Sequence, residues 1–127
     1  MEVNIPEVKE EVEAAFRRYE TALVTNDVDV LDELFFDAPT TIRYGGRENL
    51  YGYDEIAAFR SARSPKGLTR RLEKTVITTY GRDTATASTL TYKDSAPKKV
   101  GRQMQTWIRT SKGWRVVAAH VSVIEEM

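Results

Sequence analysis

The sequence predicts an α+β fold, with three helices first and a long antiparallel sheet after them. Two changes of pattern carry this. Up to about residue 63, apolar side chains recur three and four positions apart, the spacing of one helical face. From Leu68 onward, long β-branched runs alternate with short polar turns such as Gly81-Arg82-Asp83 and Ser111-Lys112-Gly113. That is the signature of an antiparallel meander. The 127 residues suit a single domain, 1–127, with one core.

The first helix is expected over 6–26. Pro6 fits the first turn, and Glu7, Glu10 and Glu11 suit the positive end of the helix dipole. Val8, Val12, Ala15, Phe16, Tyr19, Ala22 and Leu23 form its apolar face, with Tyr19 in the middle. A second short helix is expected over 27–35, capped by Asp27 or Asp29 and stopped before Pro39. A short strand through Ile42-Arg43-Tyr44 then runs into the Gly45-Gly46 turn, and a brief second limb ends at Gly52. The third helix, 54–63, turns Ile56, Ala57, Phe59 and Ala62 inward, and Arg60 and Arg63 suit its negative end.

Four strands follow, over 68–80, 84–93, 99–110 and 114–125, each long enough to bend and curl. Strict alternation divides the last strand into one face with Trp114, Val116, Ala118, His120, Ser122 and Ile124, and another with Arg115, Val117, Ala119, Val121 and Val123. Both faces are largely apolar, so the strand is expected to be covered on both sides, by the helices and by a second copy of the chain. On the preceding strand, Gln103 and Gln105 alternate with Arg102 and Met104, and two buried glutamines need partners.

Composition excludes several function classes. Formal net charge is +0, so no basic excess recommends nucleic acid. There is no cysteine, hence no disulfide or thiolate chemistry, and the single histidine, His120, speaks against a metal site. No basic-then-apolar leader opens the chain and no run approaches the ~20 apolar residues of a membrane span. A cytoplasmic protein without a cofactor is expected.

Arg43 is the residue around which the functional question turns. It lies inside a short strand, its guanidinium is always charged, and if buried it must be paired. Either a carboxylate of the chain meets it or a ligand does. The plainer alternative is a solvent-facing arginine on an edge strand. For Tyr19 the plainer alternative is a core tyrosine whose hydroxyl finds a backbone partner.

The order of elements resembles the cone-shaped fold of the nuclear-transport-factor-2-like superfamily, in which a curved antiparallel sheet wraps around the helices. More closely, the chain resembles the AtzH-like family. The residues that carry this are Phe35-Phe36, Thr41-Ile42-Arg43-Tyr44-Gly45, Glu48-Asn49-Leu50-Tyr51-Gly52 and Ile56-Ala57-Ala58-Phe59-Arg60. Gly101 to Trp107 and Gly113 to Ser122 fit as well. The resemblance implies a small enzyme of nitrogen catabolism that converts 1,3-dicarboxyurea to allophanate, with Tyr19 and Arg43 as catalytic pair. It also implies a small anionic substrate and a functional partnership with an amidase-family hydrolase.

The chemistry suits those residue types. Losing a carboxyl from a urea nitrogen requires that nitrogen to gain a proton, so a general acid such as Tyr19 lowers the barrier. Arg43 can hold a carboxylate through two parallel hydrogen bonds. Further substrate contacts are expected from Gln105 as an amide donor, from His120 and Ser122 on the last strand, from Tyr44 at a pocket mouth, and from Arg70, because one of Arg70 and Arg71 must point inward. The competing reading is a non-catalytic anion-binding or assembly module. An isomerase or dehydratase of the same cone would use an inward Asp or an Asp–His pair, for which only Asp32, Asp37 and His120 are available.

Overall fold

A computed structural model of the chain describes residues 1–126. Helix α1 (Pro6–Val24) is followed by α2 (Val28–Leu34), the short strands β1 (Ile42–Tyr44) and β2 (Asn49–Tyr51), and α3 (Tyr53–Ala62). Then come β3 (Arg71–Tyr80), β4 (Thr84–Tyr92), β5 (Lys99–Thr110) and β6 (Gly113–Glu125). The expected elements are all present, in the expected order.

Local chemistry sets the boundaries. Pro6 begins α1, and Asn26 takes a left-handed φ of 54° after it. The Asp27 carboxylate then caps α2 by accepting from the Val30 amide at 3.3 Å. Gly52 precedes α3 with φ 89°, which strains any other residue. Its amide donates to the Thr41 carbonyl at 2.7 Å, tying α3 to the start of β1.

The six strands form one sheet in the order β2-β1-β6-β5-β4-β3. All neighbours are antiparallel except β1 and β6, which run parallel with Arg43 beside Ala119 and Tyr44 beside His120. The meander of four long strands is antiparallel, as expected. The parallel pair arises because β1 is joined to the meander only through β2, α3 and the loop after it, a connection long enough to return the chain in the same direction.

Two irregularities curve the sheet. In β3 the pairing shifts between Glu73 and Val76, where Lys74 adopts a left-handed φ of 52°. In β6 the register shifts opposite Thr106 and Trp107, leaving Val117 as the extra residue. This second bulge corrects the strict alternation expected for β6. Trp114 and Val116 face inward, but beyond the bulge it is Ala119 that is buried, while Ala118 and His120 are exposed.

The core lies between α1, α2, α3 and the concave face of the sheet. Val8, Val12, Phe16, Leu31, Leu34, Phe35, Ile56, Trp107 and Val116 are all almost wholly buried. Trp107 has no exposed surface, and truncating such a side chain costs about 3–5 kcal/mol.

Candidate functional site

Tyr19 projects from the buried stripe of α1 onto the inner face of β5. Its ring meets Trp107 edge-on, with centroids 6.4 Å apart at 89°, and lies 6.2 Å from Phe35. The side chain is 5% exposed, yet its hydroxyl makes no hydrogen bond among the described residues. A core tyrosine would satisfy its hydroxyl on the backbone.

Arg43 faces the same interior, because its register partner Ala119 is buried. Its Nη1 donates to Glu48 Oε1 at 2.8 Å, and its guanidinium carbon sits 5.4 Å from the centre of the Phe59 ring. The carboxylate partner is therefore Glu48, supplied by the adjoining limb, rather than Asp32 or Asp37. No hydrogen bond among the described residues engages Arg43 Nε or Nη2.

Three more arginines and a lysine gather with it. Arg60 is 4% exposed, donates to Asp32 at 2.7 Å and stacks over Phe35 at 4.6 Å. Arg70 is the inward member of the Arg70-Arg71 pair. It is gripped by both Glu20 oxygens at 2.7 and 2.6 Å and donates to Gln103 Oε1 at 3.0 Å. Arg70 thus belongs to the interior, but its charge is already neutralised and its action on a ligand would pass through Gln103.

Arg63 and Lys93 have no carboxylate partner among the described residues. Burial is the main influence on the Arg63 guanidinium and pushes its pKa down, Tyr19 opposes that shift, and Arg43, Arg60 and Arg70 add to it. Its Nε and Nη2 are buried without a hydrogen-bond acceptor among the described residues. Lys93 is likewise pushed down, first by burial and then by Arg70 and Arg63. Of these five cations, Arg43, Arg60 and Arg70 are paired to Glu48, Asp32 and Glu20.

The glutamines complete the site. Gln105 Oε1 accepts from Trp107 Nε1 at 3.1 Å, and Gln103 Oε1 accepts from Arg70. Both side chains are 2% exposed, and both Nε2 atoms lack a partner among the described residues. Gln105 thus lies in the interior expected for it.

Three expected site residues lie elsewhere. Tyr44 occupies the convex outer face because it alternates with inward Arg43 on β1, and His120 and Ser122 lie there because the β6 bulge reverses the alternation beyond Val116. Tyr44 packs edge-on against His120 at 6.0 Å and its hydroxyl meets that of Tyr51 at 3.1 Å. Ser122 accepts from Arg102 Nε at 3.2 Å. With His120 outside and Asp32 held by Arg60, no inward Asp–His pair exists among the described residues. Nor do three His, Cys, Asp or Glu side chains gather there to hold a metal ion.

Sequence reading missed Arg63 and Lys93, although a signal was present. Arg60 and Arg63 stand four and seven residues after buried Ile56, on its own helical stripe, and a dipole role for them obscured this. Lys93 continues the inward series Ala85, Ala87, Thr89, Thr91 of β4.

A curved sheet with helices on its concave face and a polar interior defines a nuclear-transport-factor-2-like, or cystatin-like, cone protein. Within that class, the sequence pattern of the AtzH-like family matches residues 1–127, and the chain belongs to that family. It is similar to a protein of unknown function of the DUF3225 family from Pectobacterium atrosepticum, with 57% identity over 97% of this chain and 95% of that one and a TM-score of 0.94. A cystatin-like fold protein from Burkholderia xenovorans is 47% identical over 100% of this chain and 99% of that one, with a TM-score of 0.95. A Streptomyces avermitilis protein described as a putative dehydratase of the NTF2-like family is 18% identical over 94% of this chain and 98% of that one, with a TM-score of 0.78, and shares the fold alone. Comparison with curated proteins finds no match. No helix among the described residues is long and apolar enough to cross a membrane.

Proposed function

We propose that this protein is a cofactor-independent enzyme acting on N-carboxylated urea-type anions, converting 1,3-dicarboxyurea to allophanate. The observation that carries this reading is a cation, Arg63, with buried unpartnered donors in the field of both Tyr19 and Arg43. A buried charge without a partner is costly, and an anionic ligand is the natural compensation.

The reaction balances simply. The dicarboxyurea dianion takes up one proton on a carbamate nitrogen, the bond from that nitrogen to its carboxyl carbon breaks, and carbon dioxide leaves with the allophanate monoanion as product. With water in place of the proton, bicarbonate leaves instead. Tyr19 is the general acid at that nitrogen, and the phenolate left by donation faces the positive field of Arg63 before solvent reprotonates it.

The departing carboxylate becomes neutral, so a strong grip on it stabilises the ground state and slows the reaction. Arg43 suits that end, because Glu48 tempers its charge while its remaining N–H groups orient the carboxylate. The dehydratase reading loses support from the outward His120.

The test uses freshly generated 1,3-dicarboxyurea, following carbon dioxide and allophanate. Wild type should turn over well above uncatalysed decay. Arg43→Lys, which keeps the charge but loses the planar fork, should fall sharply. Tyr19→Phe should lose about 10²–10⁴-fold in kcat while its stability changes by less than about 1 kcal/mol. Wild-type turnover no faster than uncatalysed decay overturns the reading in favour of a binding module serving an amidase-family hydrolase.

A second reading concerns assembly. Across five adjacent strands, Tyr44, His120, Met104, Ser88 and Val76 stand in one register row on the outer face. Met104 is 59% exposed and Val76 56%. We infer that a second copy of the chain covers this face, giving a homodimer through the sheet.

A further inference from the structure

The two buried glutamines and Arg63 present only donors. Amide orientation is normally ambiguous, because Oε1 and Nε2 look alike. Here the partners decide it. Arginine and the tryptophan indole can only donate, so the Gln103 atom facing Arg70 and the Gln105 atom facing Trp107 must both be oxygens. Each amide therefore turns its NH₂ away from its partner. Gln103 Nε2, Gln105 Nε2, Arg63 Nε and Arg63 Nη2 are all buried, and none has an acceptor among the described residues. A site built only of unmet donors, one of them charged, calls for an acceptor-only group, and a carboxylate is such a group.

Arg63 links this array to the other cations. It shares its field with Arg43, Arg60 and Arg70, and Lys93 shares its own with Arg70 and Arg63. Arg43 keeps Nε and Nη2 for a second anionic group at its own end.

We propose that Arg63, Gln103 and Gln105 form a second carboxylate-binding subsite, which with Arg43 makes the interior a two-ended clamp selective for small dicarboxylate dianions. This rests on the carboxyurea reading for its natural ligand, where the array holds the carboxylate that is retained. Charge at that end persists through the reaction, so Arg63, unlike Arg43, needs no carboxylate to temper it. Once the other carboxyl has left, the product grips one end only, which favours its release. Lys93 adds positive charge near the array.

The test is independent of turnover. 3-Oxoglutarate is the carbon analogue of dicarboxyurea, with a central carbonyl and a carboxylate at each end. Acetoacetate is the matching monoanion. Calorimetry in the cold should show wild type binding 3-oxoglutarate at least about tenfold more tightly than acetoacetate, the contribution expected of one added charge-assisted clamp. Arg63→Gln should bring the ratio close to one. Should that variant fail to fold, Gln103→Met, which at similar volume removes the NH₂ donors together with the acceptor for Arg70, should weaken 3-oxoglutarate binding about threefold or more. No wild-type preference for the dianion, a preference retained in Arg63→Gln, or unchanged affinity in Gln103→Met would overturn the clamp. Turnover of dicarboxyurea without dianion preference removes the clamp alone. Dianion preference without turnover removes the enzymatic reading alone.

Discussion

Gly45 is what allows Glu48 to reach Arg43. A Cβ built on Gly45 would lie 1.7 Å from Glu48 Oε1, the atom that accepts from Arg43. The turn is closed by the Gly45 amide on the Glu48 carbonyl at 2.9 Å, which brings the carboxylate back over the glycine. The absent side chain thus sets how much of the Arg43 charge is neutralised.

Glu48→Gln should therefore strengthen the hold of Arg43 on a carboxylate. If that carboxylate is the one that departs, KM and kcat should both fall, kcat by about tenfold, as ground-state binding outgrows transition-state binding. Gly45→Ala should move both parameters the same way by displacing Glu48. Steady-state kinetics on dicarboxyurea decide this. An unchanged kcat with raised KM would show that Glu48 acts only by positioning Arg43.

Asp32→Asn should destabilise the fold by about 2 kcal/mol, since it leaves Arg60 buried with a weakened partner. The partly exposed position of Asp32 keeps this below the cost of a fully buried pair. Urea unfolding measures it, and a shift below about 0.5 kcal/mol would show that water and the Phe35 ring suffice for Arg60.

Lys93→Met should raise stability and lower dianion affinity together. Burial, then Arg70 and Arg63, hold the folded pKa of Lys93 below its ordinary value. Between the lowered and the ordinary value the unfolded chain binds the proton that the folded chain has released, so this lysine makes stability rise with pH there. Tyr53 acts oppositely at its alkaline end, because burial raises its pKa and the unfolded chain ionises first. Unfolding midpoints from neutral to alkaline pH should lose the rising limb in Lys93→Met. The gain at neutral pH should be only about 0.5 kcal/mol, as the lysine is partly solvated.

Met104→Glu should convert a dimer to monomers. It places a charge in the middle of the exposed row between Ser88 and His120, where two copies would bring like charges together. Light scattering reads the mass. A wild-type monomer would remove the interface, and an unchanged dimer would place it elsewhere.

Much of the fold was legible because period and turn chemistry are local properties. The stripe Val8, Val12, Phe16 and the Gly-rich turns need no knowledge of the rest of the chain. Tyr19 and Gln105 could be placed inward on period alone, while period left open which of Arg70 and Arg71 points inward. His120 and Ser122 were misplaced because a bulge is one unpaired residue, and nothing in Val116-Val117-Ala118 distinguishes it from regular strand. Glu48 as partner to Arg43 was hidden for another reason. It depends on a close approach across a turn, which a pair of glycines permits without specifying. The unpaired state of Arg63 is harder still, since it depends on every neighbour that fails to offer an acceptor.

The extra residue at Val117 also divides the labour of a single strand. Before it, β6 lends Trp114 and Val116 to the core. After it, Ala119 lines the interior while His120 belongs to the outside. Deleting Val117 would leave those pairings in place and remove only the kink, whereas straightening the strand with Val117 kept in the ladder would turn His120 inward and Ala119 out. The bulge thus works as a reading frame for the two faces of the sheet. Changes that retune the ligand and changes that retune the partner can accumulate on alternate residues of one strand without interfering, as long as that frame is kept.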